Sequence, residues 1–168
     1  TAQSFPIFQR LAYSDGLPPL TRRVTGPDRA TVEALLELTG ASESDYAEME
    51  SWAAAMVLAG GVRLGDPENG VDRALLESAK PTEGLEDFEQ QFSIFDTLPQ
   101  TEQADLLVAV AREATGGDPA AALEHWLEGD LAALETLAQA GMLGDPELRA
   151  ALLDARNRAW LARIVPMI

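Results

Sequence analysis

An all-α fold is the class this sequence predicts, and three features predict it. Alanine and leucine lead its apolar residues while aromatics make up only 6%, a composition that favours helix over strand. Apolar residues recur at three- and four-residue spacing through most of the chain. Prolines open and glycines close many of these segments, the asymmetry of helix ends. The expectation is a single helical domain over residues 1–168, a bundle of about nine short helices, with at most one short strand near residues 81–85.

Each element has its own signal. In "QSFPIFQRLAYSDGLPPL", Ser4 is a candidate N-cap, Pro6 suits a first turn, and Ile7, Phe8 and Leu11 share a face. "GPDRATVEALLELTG" runs from Pro27 to Gly40 with Val32, Leu35, Leu36 and Leu38 as its apolar side. "ASESDYAEMESWAAAMVLAGG" reads as one helix with serine caps and acids in its first turns. Its stretch 52–59 is apolar all round and should be deeply buried.

"LGDPENG" is a turn, and "GVDRALLESA" a short helix. A calcium loop around Gly70 fails, since loop positions one and twelve fall on Gly65 and Leu76, which supply no carboxylate. "KPTEGLE" is the one candidate for a brief strand. "DFEQQFSIFDTL" follows as a helix with Phe88, Phe92 and Phe95 on one face. "PQTEQADLLVAVAREATGG", "DPAAALEHWLEGD" and "LAALETLAQAG" are three more. The closing "GDPELRAALLDARNRAWLARI" has Asp145 as cap and Pro146 at the first helical position. The two "GDPE" tetrapeptides have unlike flanks and mark no repeat.

Composition excludes several functions. The chain of 168 residues carries 28 acidic and 12 basic residues, a net charge of −16. Such a surface repels phosphate backbones and anionic lipid, so neither nucleic acid nor a membrane surface is expected as a partner. No stretch approaches the ~18 apolar residues of a membrane-spanning helix. With no cysteine, disulfides, thiolate catalysis and cysteine-ligated metals are excluded. The compartment stays open. A start at Thr1 without methionine fits a processed chain or a piece of a longer one.

Three groups of residues could carry chemistry. His125, in "LEHWLEG", is the only histidine. Alone it builds no histidine-rich metal site, no nucleophile elbow accompanies it, and it reads as a half-buried helix residue. Glu86 and Glu89 stand three apart near a helix start, where a buried pair could share a proton or hold a metal. First-turn acids facing the helix dipole explain the same pattern. Arg156-Asn157-Arg158 could recognise a carboxylate, or could be a solvated, salt-bridging face. No phosphate loop, "HExxH" or nucleotide fingerprint is present.

Six segments in order resemble the TraB/GumN family. They are "FQRLAYSDGLPPLTRRV", "MESWAAAMVLA", "DPENGVDRALLESA", "KPTEGLEDFEQQFSIFDTLP", "WLEGDLAALETL" and "ARNRAWLARI". The resemblance implies kinship to metal-dependent peptidases of the TIKI type, a bacterial source, and export to the periplasm or cell envelope as one location. It also implies an active site built on two Gly-x-x-His motifs, neither of which occurs in this chain. The chain would then be the central helical portion of a longer protein, with no cofactor of its own and a divalent metal expected only in an intact member. Glu86 corresponds to the family's Gly-Leu-Glu glutamate, as acid/base or metal ligand. Arg156 and Asn157 correspond to its arginine-asparagine pair, with Arg156 holding a carboxylate or oxyanion. The alternative is a non-catalytic module binding a partner peptide or a second copy of itself through apolar helical surface such as residues 52–59.

Overall fold

The computed structural model describes residues 4–62, 69–77, 81–117 and 120–167. The fold is all-α, with nine helical rods among the described residues. These are α1 (Ser4–Leu11), α2 (Asp28–Thr39), α3 (Ser51–Gly61), α4 (Val71–Leu76), α5 (Phe88–Asp96), α6 (Gln100–Gly116), α7 (Ala121–Glu128), α8 (Leu131–Ala140) and α9. The last is continuous: Pro146–Arg149 is α-helical, Ala150–Asp154 is a π turn, and Ala155–Ile164 resumes the α-helix. Residues 81–84 form no strand. Most of the turn expected at 64–70, and Lys80, lie outside the described residues.

Helix α6 is the centre of the core and packs on both α2 and α3. It buries Ala104, Leu106, Leu107, Val108 and Ala111, and α2 answers with Val32, Leu35 and Leu36. Leu38 stays exposed, because two positions beyond Leu36 it lies on the far side of the helix. Gly40 ends α2 in the left-handed conformation, φ 65°, which only glycine adopts without strain. From α3 come Trp52, Ala53, Ala54, Ala55 and Leu58, all buried, but the apolar run at 52–59 is not buried all round as expected, since Val57 is 43% exposed. The small alanines permit close approach.

Five aromatics seal one end of this core. Trp52 stacks on Phe95 with centroids 5.9 Å apart and takes Phe8 edge-on at 5.6 Å. Phe92 lies 5.5 Å from Phe8, and Phe88 6.4 Å from Phe92. The three phenylalanines of α5 are therefore a packing face.

One expected helix is two. The segment from Ala41 to Gly61 breaks into a short 3-10 turn, Glu43–Tyr46, and α3. Between them Met49 forms an antiparallel bridge with Tyr13, flanked by Ser14 N–H to Glu48 O and Glu50 N–H to Ala12 O at 2.8 and 2.7 Å. Arg23 holds the break open. Its guanidinium donates to the carbonyls of Pro18 at 2.7 Å, Tyr46 at 3.1 Å, and Met49. A side chain 23 and 26 residues away in sequence thus supplies donors to the Tyr46 and Met49 carbonyls where the helix is interrupted.

Two contacts fasten the outer layers. Gln103, almost wholly buried, donates from Nε2 to Leu98 O at 3.2 Å and accepts from Trp52 N–H at 3.4 Å. It ties the start of α6 to the start of α3. Leu148 and Leu152, both buried, anchor α9 to the core, and α9 then runs past the segment that precedes α5.

Candidate functional site

The site begins with a helix cap. Asp87 is the N-cap of α5, its Oδ1 accepting from Gln90 N–H at 2.8 Å while Gln90 Oε1 accepts from Asp87 N–H at 3.0 Å. This reciprocal box satisfies the first orphan amides of the helix. Glu86 is consequently one residue outside the helix and free of any capping duty. It is not a first-turn acid. Glu89 is, and it pairs with Arg10 on the surface, so Glu86 and Glu89 do not form a carboxylate pair.

Glu86 instead meets α9. Arg156 donates from Nε to Glu86 Oε2 at 3.1 Å and from Nη2 to Oε1, a bidentate contact. Trp160 Nε1 donates to the same Oε2 at 3.3 Å. Arg156 also lies over the Trp160 ring, its Cζ 4.8 Å from the centroid, and Nη1 reaches Leu152 O at 3.4 Å. Only 20% of the Arg156 side chain and 17% of the Glu86 side chain remain exposed. Pairing, ring stacking and partial burial together fix the guanidinium plane.

The backbone of α9 explains the placement. Ala155 N–H bonds to Ala150 O, a five-residue step, so the π turn inserts one extra residue just before Arg156. Leu148 precedes this turn and Leu152 lies within it, and both are buried. Arg156, Trp160 and Arg163 follow it and turn to residues 83–86. Such turns are frequent at functional sites. Arg163 donates to Leu85 O and pairs with Glu83 at 3.6 Å.

A groove of about 350 Å³ opens beside the pair, lined by Leu85, Ile94, Ala155, Ala159, Trp160 and Arg163 among others. Alanines 151, 155 and 159, four apart, form its low floor. Asn157 is exposed and does not line it. The structure thus brings Glu86 and Arg156 together and leaves Asn157 apart. Trp160 and Arg163 were not singled out from sequence, although their spacing of four and seven from Arg156 places them on its face.

Both oxygens of Glu86 are occupied by donors, and a guanidinium is in contact. The residues around Glu86 therefore do not fit a metal ion, which would need those lone pairs and would face the arginine's charge. Among the described residues the acids that gather are Glu102, Asp145 and Glu147, within 4.8 Å of one another. Burial and then Asp145, Asp105 and Glu147 push the Glu102 carboxyl above its ordinary range. Asp145 Oδ1 is committed to capping α9, accepting from Glu147 and Leu148 N–H at 3.0 and 2.9 Å. His125 is half-buried, and its Nδ1 has no hydrogen-bond partner.

Fold and site define a helical protein that clamps one arginine between a glutamate and a tryptophan at the wall of a small groove. The chain belongs to the TraB/PrgY/gumN family, whose model matches residues 2–168. No curated protein and no solved structure matches it. Among the described residues no helix is long and apolar enough to cross a membrane.

Proposed function

We propose that this chain forms the helical wall of a hydrolase active site of the peptidase kind. In this reading Arg156 receives a substrate carboxylate or a developing oxyanion in the groove. The clamped Arg156–Glu86 pair beside that groove is the observation that carries it. Two bonds to Glu86 and one to Leu152 O leave two of the five guanidinium N–H groups unassigned. A pre-oriented donor of this sort acts on charge without reorganising. Glu86 is then a positioning residue that holds Arg156, rather than an acid/base or a metal ligand. Any catalytic metal would be held by histidine motifs outside this chain.

The test is the coding sequence on both sides of this segment, followed by assays of its full product. Gly-x-x-His stretches should flank it, and the product should hydrolyse peptides. Arg156→Lys and Glu86→Gln should each lower kcat/KM by about 100-fold, the order seen when one oriented donor is lost. Flanks without such stretches, or turnover indifferent to both substitutions, overturn the reading. The isolated 168-residue chain should cleave nothing and bind no zinc. Stoichiometric zinc binding abolished by Glu86→Gln would overturn the positioning role.

The alternative of an interaction module loses its first support, since Trp52, Ala53, Ala54, Ala55 and Leu58 are buried. The apolar surface left open includes Leu123, Trp126 and Leu127 on α7 and Leu131 on α8.

A further inference from the structure

Helix α7 is mounted with its apolar side outward. Successive residues advance about 100° around a helix, which puts Leu123, Trp126 and Leu127 on one face and Ala121 and His125 on the opposite one. The second face is the half-buried one, turned to the protein. The first is open: Leu123 is 59% exposed, Trp126 71% and Leu127 74%, with Leu131 at the start of α8 76% exposed. A helix that spends its apolar stripe on water reverses the usual economy of a surface helix. Together the four side chains expose on the order of 500 Å² of mainly apolar surface, the size of patch that marks an interaction site.

Charge says what covers it. From residue 113 to residue 148 the sequence contains no lysine or arginine, while Glu124, Glu128 and Glu135 lie on the same two helices and Asp130 caps the second. Glu124 borders the apolar stripe beside Leu127, while Glu128 falls on the side of Ala121. A second copy would bring an identical acidic rim and another −16 of charge. An anionic bilayer is repelled for the same reason.

We infer that the outward face of α7 and the start of α8 dock a cationic amphipathic helix of a protein partner. Its apolar residues seat on Leu123, Trp126, Leu127 and Leu131, and its lysines or arginines meet Glu124 at the edge of the stripe. The stripe has the i, i+3, i+4 spacing of helix-on-helix recognition. This site is separate from the Glu86–Arg156 groove and does not depend on the hydrolase reading.

The test uses a synthetic amphipathic helix of leucine and lysine, titrated into the chain by calorimetry with tryptophan emission as a second readout. It should bind and shift emission to the blue, and weaken at least tenfold from low to high salt. Leu127→Glu, and separately Glu124→Lys, should each weaken it at least tenfold. These positions are exposed, so circular dichroism and melting should not change. Several results overturn the inference: no binding; equal binding of a leucine–glutamate helix; binding that survives either variant; uptake by neutral phosphatidylcholine vesicles; or a dimer in sedimentation that Leu127→Glu dissolves.

Discussion

Glu86 and Arg156, 70 positions apart in sequence, meet through two parallel hydrogen bonds across the gap between the start of α5 and the last helix. This one contact joins the two halves of the groove. Glu86 is more than a helix-start acid, because Asp87 does the capping. Arg156 is more than a solvated charge, because four-fifths of it is covered.

The pair should be energetically coupled. Glu86→Gln and Arg156→Met should each lower the free energy of urea unfolding by about 1–3 kcal/mol, since either leaves a partly buried partner unmatched. The double variant should lose less than the two singles added, by about 1–2 kcal/mol, the range found for residues in direct contact. Strict additivity would mean that the contact does not hold α9 to α5.

Arg23 should behave as a structural staple. Removing its donors to Pro18, Tyr46 and Met49 carbonyls by Arg23→Ala should destabilise the chain by about 2 kcal/mol. In a protein of this length that is a fall in Tm of about 6 °C. Arg23→Lys should recover little, because one ammonium cannot span three carbonyls set out for a planar fork. Full rescue by lysine would show that charge near Glu50, rather than the fork, is what matters.

Two tryptophans should answer very differently to the same truncation. Trp52 is 0% exposed and touches Phe8, Phe92 and Phe95, so Trp52→Ala should cost about 3–5 kcal/mol. Trp126 is open to solvent, and Trp126→Ala should stay within about 0.5 kcal/mol. Thermal melts of the two variants make the comparison. A large loss for Trp126→Ala would mean that its face is covered in the free chain.

These contrasts also show what the sequence could and could not tell. Local chemistry was legible: Asp145 and Pro146 at the head of α9, Gly40 at the foot of α2, and one face for Phe88, Phe92 and Phe95. Each depends on residues within a turn or two. Breaking the segment at 41–61 was not legible, because the competing hydrogen bonds come from Arg23 and from Tyr13. Nor was the Glu86–Arg156 pair derivable from spacing. Its two members gain their meaning only from a π turn that no pattern of apolar residues announces. The outward face of α7 was hidden differently. Its apolar period is that of any amphipathic helix, and periodicity cannot say which side meets the protein.

Acidification should first stabilise this protein and then destabilise it. Burial, with Glu50 nearby, pushes the Asp96 carboxyl above its ordinary range. Burial and neighbouring acids do the same for Glu102 and Asp105. A carboxyl with a raised pKa binds its proton more tightly in the folded chain than in the unfolded one. Stability then falls as pH rises through the window above the ordinary carboxylate value of about 4. As pH is lowered from 7 into that window, Tm should therefore rise, helped by relief of the −16 net charge. Glu43 works the other way. Its carboxylate accepts from Thr21 Oγ1 at 2.6 Å and Thr21 N–H at 2.8 Å, and these bonds lower its pKa. Its contribution is present above the ordinary value and is lost as pH falls through the lowered one, so Tm should drop below about pH 4. Glu102→Gln should raise Tm at pH 7 and flatten the climb toward pH 5, whereas Thr21→Val should blunt the acid-side fall. Scanning calorimetry across this range checks both limbs. A Tm that declines steadily from pH 7 to pH 5 in the unsubstituted chain would show that these three carboxyls find solvation or partners that offset their partial desolvation.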